Sequence, residues 1–173
     1  MLVLGIDPGI GTTGCAIVKE EKGKFSLIHS EAITTSPSLS LPARLLKLHQ
    51  SLVSLISRYL PDVAALETLF FGNNVTTAFS VGQARGVVLL ALVQNNIPIA
   101  EYNPSQVKIA ITGYGNSEKG QLSRMVKQIL ALPKTLTPDD VADAAAIALT
   151  HCFSHKINKF EERSTKFEIN SNA

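Results

Sequence analysis

The chain has 173 residues, of which 45% are hydrophobic and 17% are charged, so it predicts one compact domain with a core and excludes a disordered chain. The net charge of only +2 excludes an overall basic surface, and a nucleic-acid partner would have to bind a local patch. Two cysteines indicate a reducing cytoplasm, and the lack of a basic N-terminal flank or an apolar stretch of ~18 residues predicts neither a signal peptide nor a membrane span.

The first third of the chain predicts an antiparallel meander. Residues 2–6 form a short apolar run typical of a buried strand, and a turn cluster follows at Asp7-Pro8-Gly9. Residues 13–19 and 25–35 have strand patterns and are joined by a charged turn at 20–24.

The remainder predicts alternating helices and strands. A Ser/Pro linker leads to a helix that has Pro42 in its first turn and ends before Pro61. A buried strand over 63–66, a helix from Asn73-Asn74 to about residue 95 and a strand over 97–102 come next. Helices near Val107, over 117–132 and over 138–152 complete a mixed α/β fold around one five-stranded sheet. We expect residues 1–153 to form this domain and 154–173 to be a charged, flexible tail.

Several carboxylates lie where a core is expected. Asp7 and Glu67 each end an apolar strand, and Asp143 lies in an apolar helical segment one turn after Asp140. An unpaired buried carboxylate costs several kcal/mol, so each of these needs a partner, a proton or a cation.

Structural explanations exist for most of these acids one at a time. Asp7 could support the Pro-Gly turn, and Glu67 could pair with Arg85 or Lys108. If Thr137 caps the last helix and Pro138 is its first residue, the next two positions are acidic (Asp139 and Asp140) and favour the helix dipole.

Asp143 lies beyond that first turn, so capping does not explain it. One functional explanation covers all four acids: Asp7, Glu67, Asp140 and Asp143 form a single site. Oxygen ligands without a His/Cys set indicate Mg²⁺ or Mn²⁺. Two such ions ~3.5–4 Å apart would activate water and stabilise the leaving oxygen in phosphodiester cleavage.

Residues 102–138 contain five basic side chains and a single acid, Glu118. The loop 112–117 precedes a helix N-terminus that could bind phosphate, with Lys119 in its first turn. Phe70, directly after the strand that ends in Glu67, could stack on unpaired bases or pack as a hydrophobic plug. The basic face could also be merely solvated.

Two further patterns leave their interpretation open. His151, Cys152 and His155 are spaced like zinc ligands but lack a fourth ligand, and a histidine near a helix C-terminus is the ordinary case. Gly82 and Gly86 give the second helix a smooth face that could contact another helix of this chain or of a second subunit.

Several stretches, dense and in chain order over about residues 1 to 153, resemble the RuvC family of bacterial Holliday junction resolvases. They are Gly5-Ile-Asp-Pro-Gly9, Glu67 followed by Phe70, Gly82-Gln-Ala-Arg-Gly86, Tyr102 through Gln106-Val-Lys108, Ser117-Glu-Lys119 and Asp140-Val-Ala-Asp143-Ala.

The resemblance implies a ribonuclease H-like fold with the first three strands antiparallel. It implies a homodimer that nicks four-way DNA junctions symmetrically with two Mg²⁺ ions per subunit (Mn²⁺ can substitute), leaving 5′-phosphate and 3′-hydroxyl ends, and that works with branch-migration helicase proteins. The catalytic and metal-binding residues it implies are Asp7, Glu67, Asp140 and Asp143, with Lys119 also catalytic. The DNA-contacting residues we predict are Phe70, Lys108, Lys119 and Arg85.

Two other functions compete with this one. A non-enzymatic junction-binding protein would need no carboxylate cluster. Residues 6–13 also resemble the phosphate loop of actin-like ATPases, but those enzymes need two lobes, for which this chain is too short.

Overall fold

A computed structural model describes residues 1–68, 75–115 and 119–171, with side chains over 1–68, 79–115 and 120–155. The elements confirm the predicted mixed α/β fold around one five-stranded sheet. In chain order they are β1 (Leu2–Asp7), β2 (Thr12–Glu21), β3 (Lys24–Thr34), α1 (Leu41–Tyr59), β4 (Val63–Glu67), α2 (Val75–Gln94), β5 (Ile99–Tyr102), α3 (Pro104–Thr112), α4 (Lys119–Ile129) and α5 (Asp139–Ser171).

The sheet has the strand order β3-β2-β1-β4-β5. The strands β1, β2 and β3 pair antiparallel, as the meander predicts, whereas β4 pairs parallel with β1 and β5 parallel with β4. Parallel neighbours need a crossover connection, which α1 and α2 supply. The carboxyl ends of β1, β4 and β5 therefore lie at one edge of the sheet.

Helices cover both faces of the sheet, and alternate residues of each central strand point to opposite layers. Val3 of β1 and Ala65 of β4 belong to the core under α3, α4 and α5, and we call this side the α5 face. Leu4, Ile6 and Leu66 belong to the core under α1 and α2, which we call the α1/α2 face.

Two glycines allow α5 to cross the sheet at close range. A Cβ added to Gly5 of β1 would lie 1.9 Å from the Ala144 carbonyl oxygen, and one added to Gly14 of β2 would lie 1.9 Å from the Asp140 carbonyl oxygen. Because Gly14 pairs with Asp7, this contact brings the first turn of α5 to the end of β1.

Some predicted boundaries are wrong. Strand β5 begins at Ile99, two residues later than expected. Helix α5 begins at Asp139, one residue later than expected, so Asp139 and Asp140 are its first two residues and Pro138 precedes it. Helix α4 ends at Ile129, because Ala131 adopts a left-handed conformation with φ 50° and the Leu132 amide donates back to the Lys127 carbonyl.

The last helix also differs from its prediction. It continues to Ser171, so the expected helix end at Cys152 is wrong, while the expected flexibility of the 154–173 tail stays a prediction. The segment 156–171 contains neither proline nor glycine, and its lysine, glutamate and arginine residues favour helix. The domain boundary at 153/154 stays a prediction. Among the helices that the structure describes, none is long and apolar enough to cross a membrane.

Candidate active site

Asp7 and Glu67 lie side by side at the carboxyl edge of the sheet. The parallel register pairs Gly5 with Ala65 and Ile6 with Leu66, so the next residues, Asp7 and Glu67, face one another across the strand pair. Strand alternation turns both side chains to the α5 face. Both carboxylates are half-buried.

The first turns of α5 supply the other two predicted acids. The Asp140 carbonyl contacts Gly14, the residue opposite Asp7, so the backbone of Asp140 lies beside the end of β1. Asp143, one turn later, lines a cavity together with Glu67. Three distant parts of the chain thus meet at one edge, as the sequence predicts, while the catalytic and metal-binding roles of these residues stay predictions.

The cavity between β4, α3, α4 and α5 has a volume of about 260 Å³. Its polar side chains are Glu67, Lys108 and Asp143, and its walls are apolar, formed by Pro104, Val107, Leu122 and Ile147. Lys108 lies on α3, whose N-terminus is stabilised by a complete capping box in which the Asn103 and Gln106 side chains each bond the other's backbone amide.

The surroundings of Glu67 destabilise its ionised form. Burial raises the pKa of its carboxyl, the negative charge of Asp143 raises the pKa further, and the Lys108 ammonium acts in the opposite direction. Burial and like charge both penalise the ionised form of Glu67. A cation in this cavity would remove the penalty, since it would neutralise both carboxylates.

The chemistry of these donors suits a divalent cation, because four carboxylates provide hard oxygen ligands without histidine or thiolate. Among the side chains that the structure describes, however, no three His, Cys, Asp or Glu residues are gathered closely enough to hold a metal ion.

A second cavity, of about 350 Å³, lies on the other side of Asp143. Asp139, the additional acid, and Arg124 line it, together with Ser123 and Thr135. Asp143 therefore borders both cavities, whereas Asp139 borders only the second.

Arg85 lies elsewhere. Its guanidinium forms an ion pair with Glu101 of β5, on the α1/α2 face, so it does not serve as the partner of Glu67 that the sequence allowed. The Arg85 side chain is 17% exposed. Its predicted DNA contact stays a prediction, and the ion pair with Glu101 gives it a structural role that links α2 to β5.

Two of the predicted DNA-contacting residues have side chains that the structure does not describe. Phe70 lies outside the described residues, as does the side chain of Lys119, which is the first residue of α4.

The zinc interpretation is not supported, because His151, Cys152 and His155 are not gathered as a metal-binding group among the described side chains. Cys152 is instead fully buried in the core, and His151 Nδ1 is hydrogen-bonded to the Tyr102 hydroxyl at 2.8 Å.

Sequence reasoning missed the contacts that hold the turn after Asp7. Thr13, Thr35 and Arg44 all bond to the backbone of this turn. Thr35 and Arg44 are 25 and 34 residues from the carbonyl they share, so no local pattern could reveal them. Gly14 signalled only the close approach of α5, since a glycine inside a strand often marks a close backbone approach.

The family model described as "Crossover junction endodeoxyribonuclease RuvC" matches residues 3–151. This chain belongs to the RuvC family. The family is one of metal-dependent nucleases, so its members are hydrolases.

Named RuvC relatives are similar over most of the chain. A crossover junction endodeoxyribonuclease RuvC of Caldicellulosiruptor saccharolyticus is 49% identical over 163 residues, covering 94% of this chain and 98% of that protein. The RuvC of Petrotoga mobilis is 51% identical over 151 residues, covering 87% and 93%. The structure of Thermus thermophilus RuvC in complex with Holliday junction substrate superposes with a TM-score of 0.87 at 37% identity, covering 91% of this chain and 96% of that one. This likeness agrees with the expected ribonuclease H-like fold.

Proposed function

We propose that this protein resolves four-way DNA junctions by metal-dependent hydrolysis of phosphodiesters. The observation that carries the proposal is the meeting of Asp7, Glu67 and the first turns of α5 at one sheet edge, in a chain of the RuvC family. The structurally similar T. thermophilus RuvC was solved with a Holliday junction, which supports the same substrate here.

The metal we propose is Mg²⁺, with two ions per subunit, and Mn²⁺ as a substitute. Asp7, Glu67, Asp140 and Asp143 would hold these ions. Bound there, the ions would supply an activated water and neutralise the charge of the leaving oxygen. The raised pKa of Glu67 supports this assignment, since the carboxylate would be relieved of its repulsion by Asp143.

The chain's own residues then position and stabilise the substrate. Lys108, beside Glu67 and Asp143, would place its ammonium near a phosphate held in the cavity. Lys119 would neutralise charge on the reacting phosphate, and Phe70 would stack on bases opened at the junction. Water forms a new bond to phosphorus while the bond to the 3′ oxygen breaks, which leaves a 5′-phosphate and a 3′-hydroxyl.

The outer face of α2 supports a homodimer. Phe79, Leu90 and Val93 are 68%, 52% and 64% exposed, and their spacing places them with Gly86 on one helical face. No atom lies within 4 Å of a Cβ added to Gly86, so a second helix could approach there. A two-fold dimer would present one site to each of two equivalent strands of a junction.

The cellular setting follows from the substrate. A resolvase acts on recombining chromosomal DNA, so we propose the bacterial cytoplasm as its location and branch-migration helicase proteins as its partners. These partners rest on the family alone.

The experiment is incubation of the protein with an end-labelled synthetic four-way junction, with Mg²⁺ and with EDTA. We expect paired nicks on two strands of like polarity in Mg²⁺ and none in EDTA. Binding without nicking at any divalent-ion concentration would contradict the proposal and favour a non-enzymatic junction-binding protein.

The dimer has its own test. Leu90→Asp should convert the protein to a monomer in analytical ultracentrifugation and uncouple the two nicks, because a buried aspartate would oppose helix contact. Ile28→Asp, at a similarly exposed apolar residue of β3, is the control and should stay dimeric. A dimer that survives Leu90→Asp would exclude this face as the interface.

A further inference from the structure

The turn that joins β1 to β2 follows Asp7 directly and consists of residues 8–11. It leads from Asp7 to the strand residue opposite it, Gly14. The conformation of the turn therefore helps to set where the Asp7 carboxylate lies. A Cβ added to Gly9 would lie 2.2 Å from the Thr12 carbonyl oxygen, so the turn is tight enough to require glycine at that position.

One side of this turn is fixed from within β2. The Thr13 hydroxyl donates to the Gly9 carbonyl at 2.8 Å and accepts from the Gly9 amide at 3.3 Å. Thr13 is fully buried, whereas the two bonds to Gly9 are partly buried. This contact is local, since it spans only four residues.

The other side is fixed from distant parts of the chain. The Ile10 carbonyl accepts from Arg44 Nη2 of α1 at 3.1 Å and from the Thr35 hydroxyl just after β3. Arg44 Nε donates to Thr35 Oγ1 at 2.9 Å, which closes a three-membered network of Ile10, Thr35 and Arg44. The Thr35 amide also donates to the Gly11 carbonyl at 2.9 Å.

Arg44 bonds two uncharged oxygens through two different nitrogens of one rigid planar group. It forms none of the ion pairs found within the described residues, which join Lys19 to Glu21, His29 to Glu31 and Arg85 to Glu101. The guanidinium therefore contributes two hydrogen bonds in a fixed relative orientation. A lysine ammonium could keep the charge but could not reproduce this two-point fork.

We propose that Arg44, through Thr35 and the Ile10 carbonyl, is a positioning residue for Asp7. It ties the turn after Asp7 to the start of α1 and so holds the carboxylate where it can share a cation with Glu67 and α5. The inference rests on the proposed metal-dependent function. Partners that orient metal ligands from behind typically change metal affinity by ~10–100-fold.

The test compares Arg44→Lys, Thr35→Val and the double variant with wild type. In the metal-free protein without DNA, hydrogen exchange of the peptide covering 8–13 should accelerate ~10-fold in both single variants, because the turn opens more often. Calorimetric Mn²⁺ binding without DNA should weaken ~10-fold in each. The double variant should lose less than the product of the two single effects, since both remove one network.

Lys47→Ala is the matched control, because it removes an exposed charge from the same helix and lies outside the network. It should leave exchange and Mn²⁺ affinity unchanged. Junction affinity in EDTA should be unchanged in all variants, since a positioning residue does not touch DNA.

Three results would overturn the inference. Wild-type exchange and Mn²⁺ affinity in Arg44→Lys and Thr35→Val would show that the network does not position Asp7. A lower melting temperature with unchanged Mn²⁺ affinity would indicate a structural role alone. Weaker junction binding in EDTA would make Arg44 a phosphate contact instead. A wild-type protein that fails to nick junctions would contradict the proposed function but not the exchange result.

Discussion

Strands β1 and β4 end in the same way, with an apolar residue followed by an acid, and the two kinds of side chain point to opposite faces of the sheet. On the α1/α2 face, Ile6 and Leu66 are fully buried. On the α5 face, one residue later, Asp7 and Glu67 are half-buried.

Adjacent residues of one strand end thus have opposite effects on stability. Burying Leu66 stabilises the fold by ~1.5–3 kcal/mol. Placing Glu67 next to Asp143 in a partly apolar cavity works against the ionised carboxylate, as its raised pKa shows. The same strand end therefore carries a stabilising contact on one face and an electrostatic cost on the other, a cost that Lys108 offsets in part and that a bound cation would offset further.

The variant Glu67→Gln tests the acidic side of these strand ends. Junction nicking should fall by at least ~100-fold, because the change would remove one of the proposed metal ligands and outer partners of such ligands alone change activity by ~10–100-fold, while junction binding should survive. A labelled-junction assay with a parallel binding measurement checks both. Glu31→Gln, on the edge strand β3, is the control and should cleave normally. Retained cleavage in Glu67→Gln would remove this residue from the site.

The opposite face is tested by Leu66→Ala. We expect the free energy of unfolding to fall by ~2–5 kcal/mol, because a fully buried side chain leaves a cavity. Turnover per folded molecule should change little. Chemical denaturation measures the first effect, and Leu46→Ala, at an exposed leucine of α1, should stay within ~0.5 kcal/mol of wild type. Equal effects of the two variants would contradict the assignment of the core.

The variant Gly14→Ala tests the close contact between β2 and the start of α5. The new Cβ would meet the Asp140 carbonyl, so the start of α5 must move away from Asp7. We expect a loss of ~1–3 kcal/mol in stability together with weaker Mn²⁺ binding. Gly120→Ala, whose Cβ would find its nearest atom at 3.7 Å, should show neither change in calorimetry. Wild-type Mn²⁺ affinity in Gly14→Ala would show that this approach does not set the site.

The smallest expected effect concerns His151 of α5, whose ring is hydrogen-bonded to the Tyr102 hydroxyl. Burial, and then the neighbouring His155, lower the pKa of His151. The folded state therefore takes up this proton less readily than the unfolded state, so stability should fall as the pH drops below the ordinary value of about 6.5. Thermal unfolding between pH 7.5 and 5.5 should show a smaller acid loss in His151→Asn. An identical pH dependence in the two proteins would exclude His151 as its source.

Local patterns predicted much of this molecule. The apolar runs that end in Asp7 and Glu67 identified two neighbouring strands, and the turn cluster after Asp7 identified the meander, because these signals lie within a few residues of each other. The end of α4 was not predictable, since alanine at position 131 carries no signal for a left-handed conformation.

The unpredicted parts of the site depend on contacts between distant residues. Nothing near Arg44 in the sequence indicates that it bonds the Ile10 carbonyl, and nothing near Arg85 indicates that it pairs with Glu101 and not Glu67. The acids that we propose to bear the chemistry were visible in the sequence as acids in apolar surroundings. The residues that hold them in place became visible only in three dimensions.

The central claim is that Asp7, Glu67 and α5 hold divalent cations on the α5 face. The most direct measurement is an anomalous difference map from crystals of the protein soaked in Mn²⁺. We expect a peak ~2–2.5 Å from carboxylate oxygens of both Asp7 and Glu67. A saturating Mn²⁺ concentration that gives no peak there, or a peak only elsewhere on the molecule, would contradict the account.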